Sequence, residues 1–252
     1  MSYGLFNSTL ELSVTILAVF LVGLSKGGLG GMSLLGVPLM ALVMSPVTAA
    51  AILLPILVVM DVVGVVAWRK WVDWKIMARI LPASVCGIAL GWMTAHLTSD
   101  AMIRLIVGAV SVLFVLRVVF GKTIKADYTE NRHSAGFWGM MAGYTSFVAH
   151  AGGPPLQVYL LPRRLDPKIF TGVTVMFFAI TNALKLIPYA ALGGFTNQNL
   201  GRAALMMPLA IVSTWLGAWV VRRMSASVFY PMTYISVALV AVKLIWDGVT
   251  GL

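Results

Sequence analysis

The chain has 252 residues, 60% of them hydrophobic and only 10% charged, with a mean hydropathy of +0.95. A soluble domain of this size carries about a quarter charged residues, so the composition excludes a soluble enzyme or nucleic-acid-binding module and indicates an all-α polytopic membrane protein. A net charge of +10 would suggest nucleic acid in a soluble protein; in a membrane protein it marks cytoplasmic loops.

No Lys or Arg precedes the first apolar run, so the basic start of a cleavable signal peptide is missing and the run is expected to stay in the mature protein. It reaches Leu24 and is broken by Ser25-Lys26-Gly27-Gly28-Leu29-Gly30-Gly31, after which a short run leads to Met44 and Ser45-Pro46. A long apolar run over 46–68 carries one deep carboxylate, Asp61. Runs at about 80–97 and 102–118 follow, separated by His96 to Asp100, and then a basic loop over 121–133. The run from Ala135 to Leu161 is interrupted by His150-Ala151-Gly152-Gly153-Pro154-Pro155, which cannot continue a helix because proline lacks an N–H and disfavours helical geometry before it. The return leg of about nine residues spans only about 13 Å, half a bilayer, so a re-entrant hairpin is expected. Runs near 169–192, 203–221 and 228–250 complete the chain, with a polar turn at Thr196 to Asn199.

Four clusters hold 13 of the 18 lysines and arginines: Arg69, Lys70, Lys75, Arg79; Arg117, Lys122, Lys125, Arg132; Arg163, Arg164, Lys168; and Arg222, Arg223. The positive-inside rule places all four in the cytoplasm.

Sliding the halves past each other suggests an internal repeat. An offset of 121 places Gly31 on Gly152, Ser45-Pro46 on Asp166-Pro167 and Asp61 on Asn182; an offset of 126 places Pro82 on Pro208 and Leu90-Gly91 on Leu216-Gly217. The expected architecture is one transmembrane transporter domain over 1–252, built from two repeats at about 8–120 and 134–250. Each is a broken re-entrant hairpin plus three transmembrane helices, and the second is inverted because a half makes an odd number of crossings. Such repeats recur in secondary transporters. The alternative is eight plain helices with coincidental glycines.

Irregular backbone at membrane depth must be buried in protein or face a water-filled cavity. A helix starts after each break, near Met32 and near Pro154, and its unpartnered N–H groups and positive dipole end suit a small oxyanion. The expected substrate site therefore comprises Ser25, Lys26, Gly27, Gly28, Gly30 and Gly31 at one break, and His150, Ala151, Gly152, Gly153 and Gln157 at the other. Lys26 either adds positive charge there or snorkels to the surface; His150 is a donor, a proton carrier or structural. Asp61 is a candidate for proton coupling, for holding Lys26, or for a plain salt bridge toward Arg69. Asn182, its repeat mate, is a candidate to bind substrate. Lys185, one turn on, is either a gate or a snorkelling side chain. Lys243 and Asp247, at i, i+4, read as a surface pair. Ser33, Thr145 and Ser146 are neutral donors beside the breaks. No metal or cofactor is called for: the single Cys86 supports neither a disulfide nor a thiolate site.

The break Gly27-Gly28-Leu29-Gly30-Gly31 followed by Pro38, the basic central loop and the second break Gly152-Gly153-Pro154 together resemble the TauE/SafE sulfite-exporter family, over essentially the whole chain. That resemblance implies a carrier in the bacterial inner membrane for a small sulfur-containing anion such as sulfite, thiosulfate or an organosulfonate like sulfoacetate. Some relatives handle thiosulfate with cysteines; Cys86 lies away from both breaks, which favours sulfite or a sulfonate. The bilayer and the anion are the expected partners, with a homodimer as the one protein assembly considered. Two rival readings remain at this level. An anion channel uses the same donors, and Gly23-Leu24-Ser25-Lys26-Gly27 fits the G-x-S-x-G pattern of a serine hydrolase.

Overall fold

The computed structural model describes residues 5–29, 36–44, 46–94, 102, 105–112, 116, 132–149, 151–191 and 196–250. Among these, the regular structure is helical, without a β-strand. The helices are α1 (Thr9–Leu24), continued by a π-type turn at Ser25–Leu29, α2 (Gly36–Ala41), α3 (Pro46–Trp68), α4 (Trp74–Thr94), α5 (described over 105–112), α6 (Arg132–Ala149), α7 (Gly153–Leu160), α8 (Pro167–Ala191), α9 (Asn197–Arg223) and α10 (Ala226–Thr250). Among the described residues, six stretches are long and apolar enough to cross a bilayer: Thr9–Leu29, Ala51–Trp71, Trp74–Thr94, Pro167–Leu186, Asn197–Arg223 and Ala226–Thr250. The first is α1 with its turn, so this leg of the expected hairpin is as long as a full span. The α4 helix starts at Trp74 rather than near residue 80, because Asp73 accepts from the Lys75 and Ile76 amides and caps it. Asp166 caps α8 likewise, ahead of Pro167 in its first turn, where a missing N–H costs nothing.

The chain divides into two compact units that do not follow the sequence halves. The first comprises residues 1–70 and 178–224, the second 71–177 and 225–252.

In the first unit α1 lies close against α9. A Cβ on Gly27 would fall 2.4 Å from the Thr214 carbonyl oxygen, and one on Gly217 2.4 Å from that of Leu24. Small residues admit such backbone approach in membrane helices, where packing rather than the hydrophobic effect drives association. The core of this unit is formed by Val19, Val22, Ile52, Ile56, Met60 and Met206 with their neighbours. Its start is tied by charge: Ser8 caps α1, Glu11 accepts from the Asn7 amide at 2.8 Å, and Arg202 pairs with Glu11 at 3.2 Å while donating to the Leu5 carbonyl. Both charged side chains are buried.

In the second unit α4 and α6 make the equivalent close approach. Cβ atoms on Gly87 and Gly143 would lie 2.1 Å from the carbonyl oxygens of Met140 and Ser84. The short α7 packs on α6, with Gly152 against the Ala142 carbonyl and Ser146, and Phe170 of α8 meets Phe229 of α10 edge to face at 5.5 Å.

Candidate functional site

The first break lies in the first unit. The α1 helix does not stop at Leu24 but widens: the Ser25 amide donates to the carbonyls of Leu21 and Val22, and the π-type turn ends its helical geometry at Gly28, with φ 128°. That positive φ is open to glycine and strained for residues with a Cβ. Widening releases the Gly27 carbonyl, which accepts from the Trp68 indole N–H at 3.0 Å. Trp68 is fully buried at the end of α3. Arg222 of α9 secures the same helix end, donating to the Ala67 carbonyl at 2.6 Å with its guanidinium 5.3 Å from the Trp68 ring.

Held in this way, Lys26 meets Asp61 of α3, Nζ to Oδ1, at 2.6 Å. The other carboxylate oxygen accepts from the Asn182 side-chain amide of α8 at 2.7 Å. Asp61 and Asn182 are both buried. Lys26 also lies 5.7 Å from the Phe178 ring, a cation–π contact that suits a desolvated ammonium. Lys185, one helical turn beyond Asn182, is 2% exposed and feels the charge of both Lys26 and Asp61. The structure thus brings Lys26, Asp61, Asn182 and Lys185 into one buried group. Asp61 pairs with Lys26 rather than with Arg69, and Lys185 is enclosed rather than snorkelling. Ser25 is buried beside them. Gly30, Gly31 and Ser33, with the start of the helix expected near Met32, lie outside the described residues.

The second break lies in the second unit and is built from uncharged parts among the described residues. After α6 the Ala151 amide turns back to the Thr145 carbonyl at 3.0 Å, while the Thr145 hydroxyl donates to the Met141 carbonyl at 2.7 Å and lies 3.2 Å from that of Ala151. Gly152 precedes α7, whose first turn contains Pro154 and Pro155. A Cβ added at Gly153 meets nothing within 4 Å, so open space adjoins the helix start. Gln157, one turn on and on the same helical face, is buried. His150 lies outside the described residues. Lys243 and Asp247 pair along α10 as expected, with Asp247 buried and Lys243 about one-third exposed.

Sequence reasoning missed the indole of Trp68, the Arg222 cap and the Glu11–Arg202 pair. Each carried a signal. An N–H buried in an apolar run needs an acceptor, and two lone opposite charges in apolar segments need each other.

The preceding geometry is that of a helical membrane protein whose first interrupted helix carries buried charge, and a family model described as "Sulfite exporter TauE/SafE" matches residues 15–244. The chain belongs to the TauE/SafE sulfite-exporter family. No curated protein and no solved structure matches it. Membership makes the chain a membrane transporter of the sulfite-exporter type and not an enzyme. The hydrolase pattern around Ser25 fails on its own geometry too: a nucleophile elbow follows a strand, and Ser25 follows α1.

Proposed function

We propose that this TauE/SafE member exports a small sulfur oxyanion, sulfite or an organosulfonate such as sulfoacetate, across the bacterial inner membrane by alternating access, with its basic loops cytoplasmic. Each break is a candidate anion contact within its own unit. The first supplies charge through Lys26, with Lys185 behind it. The second supplies neutral donors at the start of α7 and from Gln157, joined by His150. The observation that carries this reading is the cluster at the first break: a partly buried lysine, Lys26, pairs with the buried Asp61, and a second lysine, Lys185, is buried one turn beyond Asn182. Intramembrane charge of this kind is costly and marks ion pathways, and a lysine ammonium beside a helix break suits an anion.

The inverted repeat draws support from the packing of each unit. At the offset of 126, Gly87 and Gly91 of α4 correspond to Ser213 and Gly217 of α9. The former pair lies against the broken-hairpin helix α6, the latter against the broken-hairpin helix α1. The second transmembrane helix of each repeat therefore packs against the other repeat's hairpin helix.

Flux into proteoliposomes tests the proposal. Sulfite or sulfoacetate uptake should saturate and show counter-flow, and Lys26→Ala should abolish it while the protein remains folded. Conductance without saturation would establish a channel instead, and undiminished flux in Lys26→Ala would remove the first break from the site.

A further inference from the structure

The Lys26–Asp61–Asn182 arrangement raises a question that the proposed function leaves open: the cation assigned to the anion already has an anion. Asp61 Oδ1 sits 2.6 Å from Lys26 Nζ, and Oδ2 receives the Asn182 amide at 2.7 Å. Both carboxylate oxygens are thus engaged, and the contacts tie together three elements: the π-type turn, α3 and α8. An arriving oxyanion that sought Lys26 at full strength would compete with Asp61 for the same ammonium.

We infer that Asp61 is a built-in counter-anion that occupies Lys26 in the empty transporter and is displaced from it by the substrate. The displaced carboxylate is not abandoned. It keeps Asn182, which donates from α8 independently of Lys26, and Lys185 lies one turn further along the same helix, within the electrostatic reach of Asp61. Displacement leaves the carboxylate held from α8, by Asn182, instead of from the break. The ionic tie between Lys26 and α3 is then open only while an anion is bound, while the Trp68 indole of α3 still holds the Gly27 carbonyl of the same turn. A ligand gains such control only through differential affinity for the two states, and competition for one ammonium supplies that difference. The inference rests on the proposed anion site at the first break.

Two substitutions have opposite expected signs. Asp61→Asn removes the internal competitor and leaves Lys26 for the substrate, so anion binding tightens by about tenfold or more, in line with the coupling of close charge pairs. Asn182→Leu removes the partner that stabilises the displaced carboxylate, so binding weakens by about tenfold, as expected for loss of a hydrogen bond to a charged group. A purely structural role for the network would weaken binding in both. The test is calorimetric titration of the purified full chain in detergent with sulfite under anaerobic conditions and with methanesulfonate, for wild type and both variants. Tighter binding by Asp61→Asn together with weaker binding by Asn182→Leu establishes the displacement. Unchanged or weaker binding by Asp61→Asn overturns it. Should Asp61→Asn fail to yield folded protein, Asn182→Leu decides alone, and unchanged or tighter binding there overturns it. If wild type binds neither anion, the proposed substrate class fails, an outcome separate from the failure of the displacement.

Discussion

The two breaks interrupt a membrane helix by different means. At the first, the helix widens, places one glycine at positive φ, and engages side chains from distant elements: Trp68 takes the Gly27 carbonyl, Asp61 takes Lys26, and Asn182 holds Asp61. At the second, the chain restarts at once through two prolines, and its bonds are local, between Thr145, Met141 and Ala151. The first depends on residues far apart in sequence and contains charge. The second is assembled from its own neighbourhood and leaves open space beside Gly153. The first break is held by partners that can be exchanged, the second by bonds within its own neighbourhood.

The contrast breaks most sharply at the ion pair. Lys26→Met removes the ionic partner of a buried carboxylate that keeps only Asn182, and should lower stability by about 3 kcal/mol, the lower end for breaking a buried pair; Lys26→Met with Asp61→Leu should recover most of that loss without recovering transport. Thermal unfolding in detergent, with flux as the second readout, checks both. Next comes Gly27→Ala, which drives a Cβ to 2.4 Å from the Thr214 carbonyl; a loss of about 1–3 kcal/mol is expected from overpacking, again from melting curves. Trp68→Phe keeps the ring beneath Arg222 but removes the donor to Gly27; the orphaned carbonyl should cost about 1–3 kcal/mol, toward the lower end because a carbonyl tolerates partial satisfaction. It should also reduce anion affinity, measured by titration, because the turn that presents Lys26 is loosened. The smallest effect on stability belongs to the second break. Gly153→Ala places a methyl in open space, and the melting temperature should hold or rise slightly, by about 0.4–1 kcal/mol equivalent, while flux falls because the methyl occupies room assigned to the anion. If Gly153→Ala destabilised more than Gly27→Ala, the contrast between the breaks would be lost.

Much of this arrangement was legible in the sequence because it rests on residues with strong local meaning. Gly-Gly-Pro-Pro marks the second break through backbone chemistry alone, and the charge-poor composition fixes a helical membrane protein. Asp61 and Asn182 were matched by a repeat offset, and their contact is a direct hydrogen bond. What was not legible is long-range partner choice. A carboxylate in an apolar run must find a cation, yet Lys26 and Arg69 were both within reach on paper; only the packing of the π-type turn against α3 selects Lys26. Glu11 and Arg202 stand 191 positions apart in sequence, and nothing local announces that the chain ahead of α1 is bolted to the start of α9. The widening at Ser25 was likewise hidden, since a glycine-rich stretch reads as a stop even where the helix continues through three more residues.

Arg222 carries a practical lesson for work on orientation. Counted with Arg223, it is an address label, one of the charges by which a membrane protein is sorted to its side. In the fold it is also a clasp, closing the end of α3 at Ala67 and covering the indole that grips Gly27. Charge-swap experiments that relocate Arg222 would therefore disturb the break while appearing to report topology. Arg223, whose contacts stay on its own helix at Trp219, is the position at which orientation can be edited without reaching the first break.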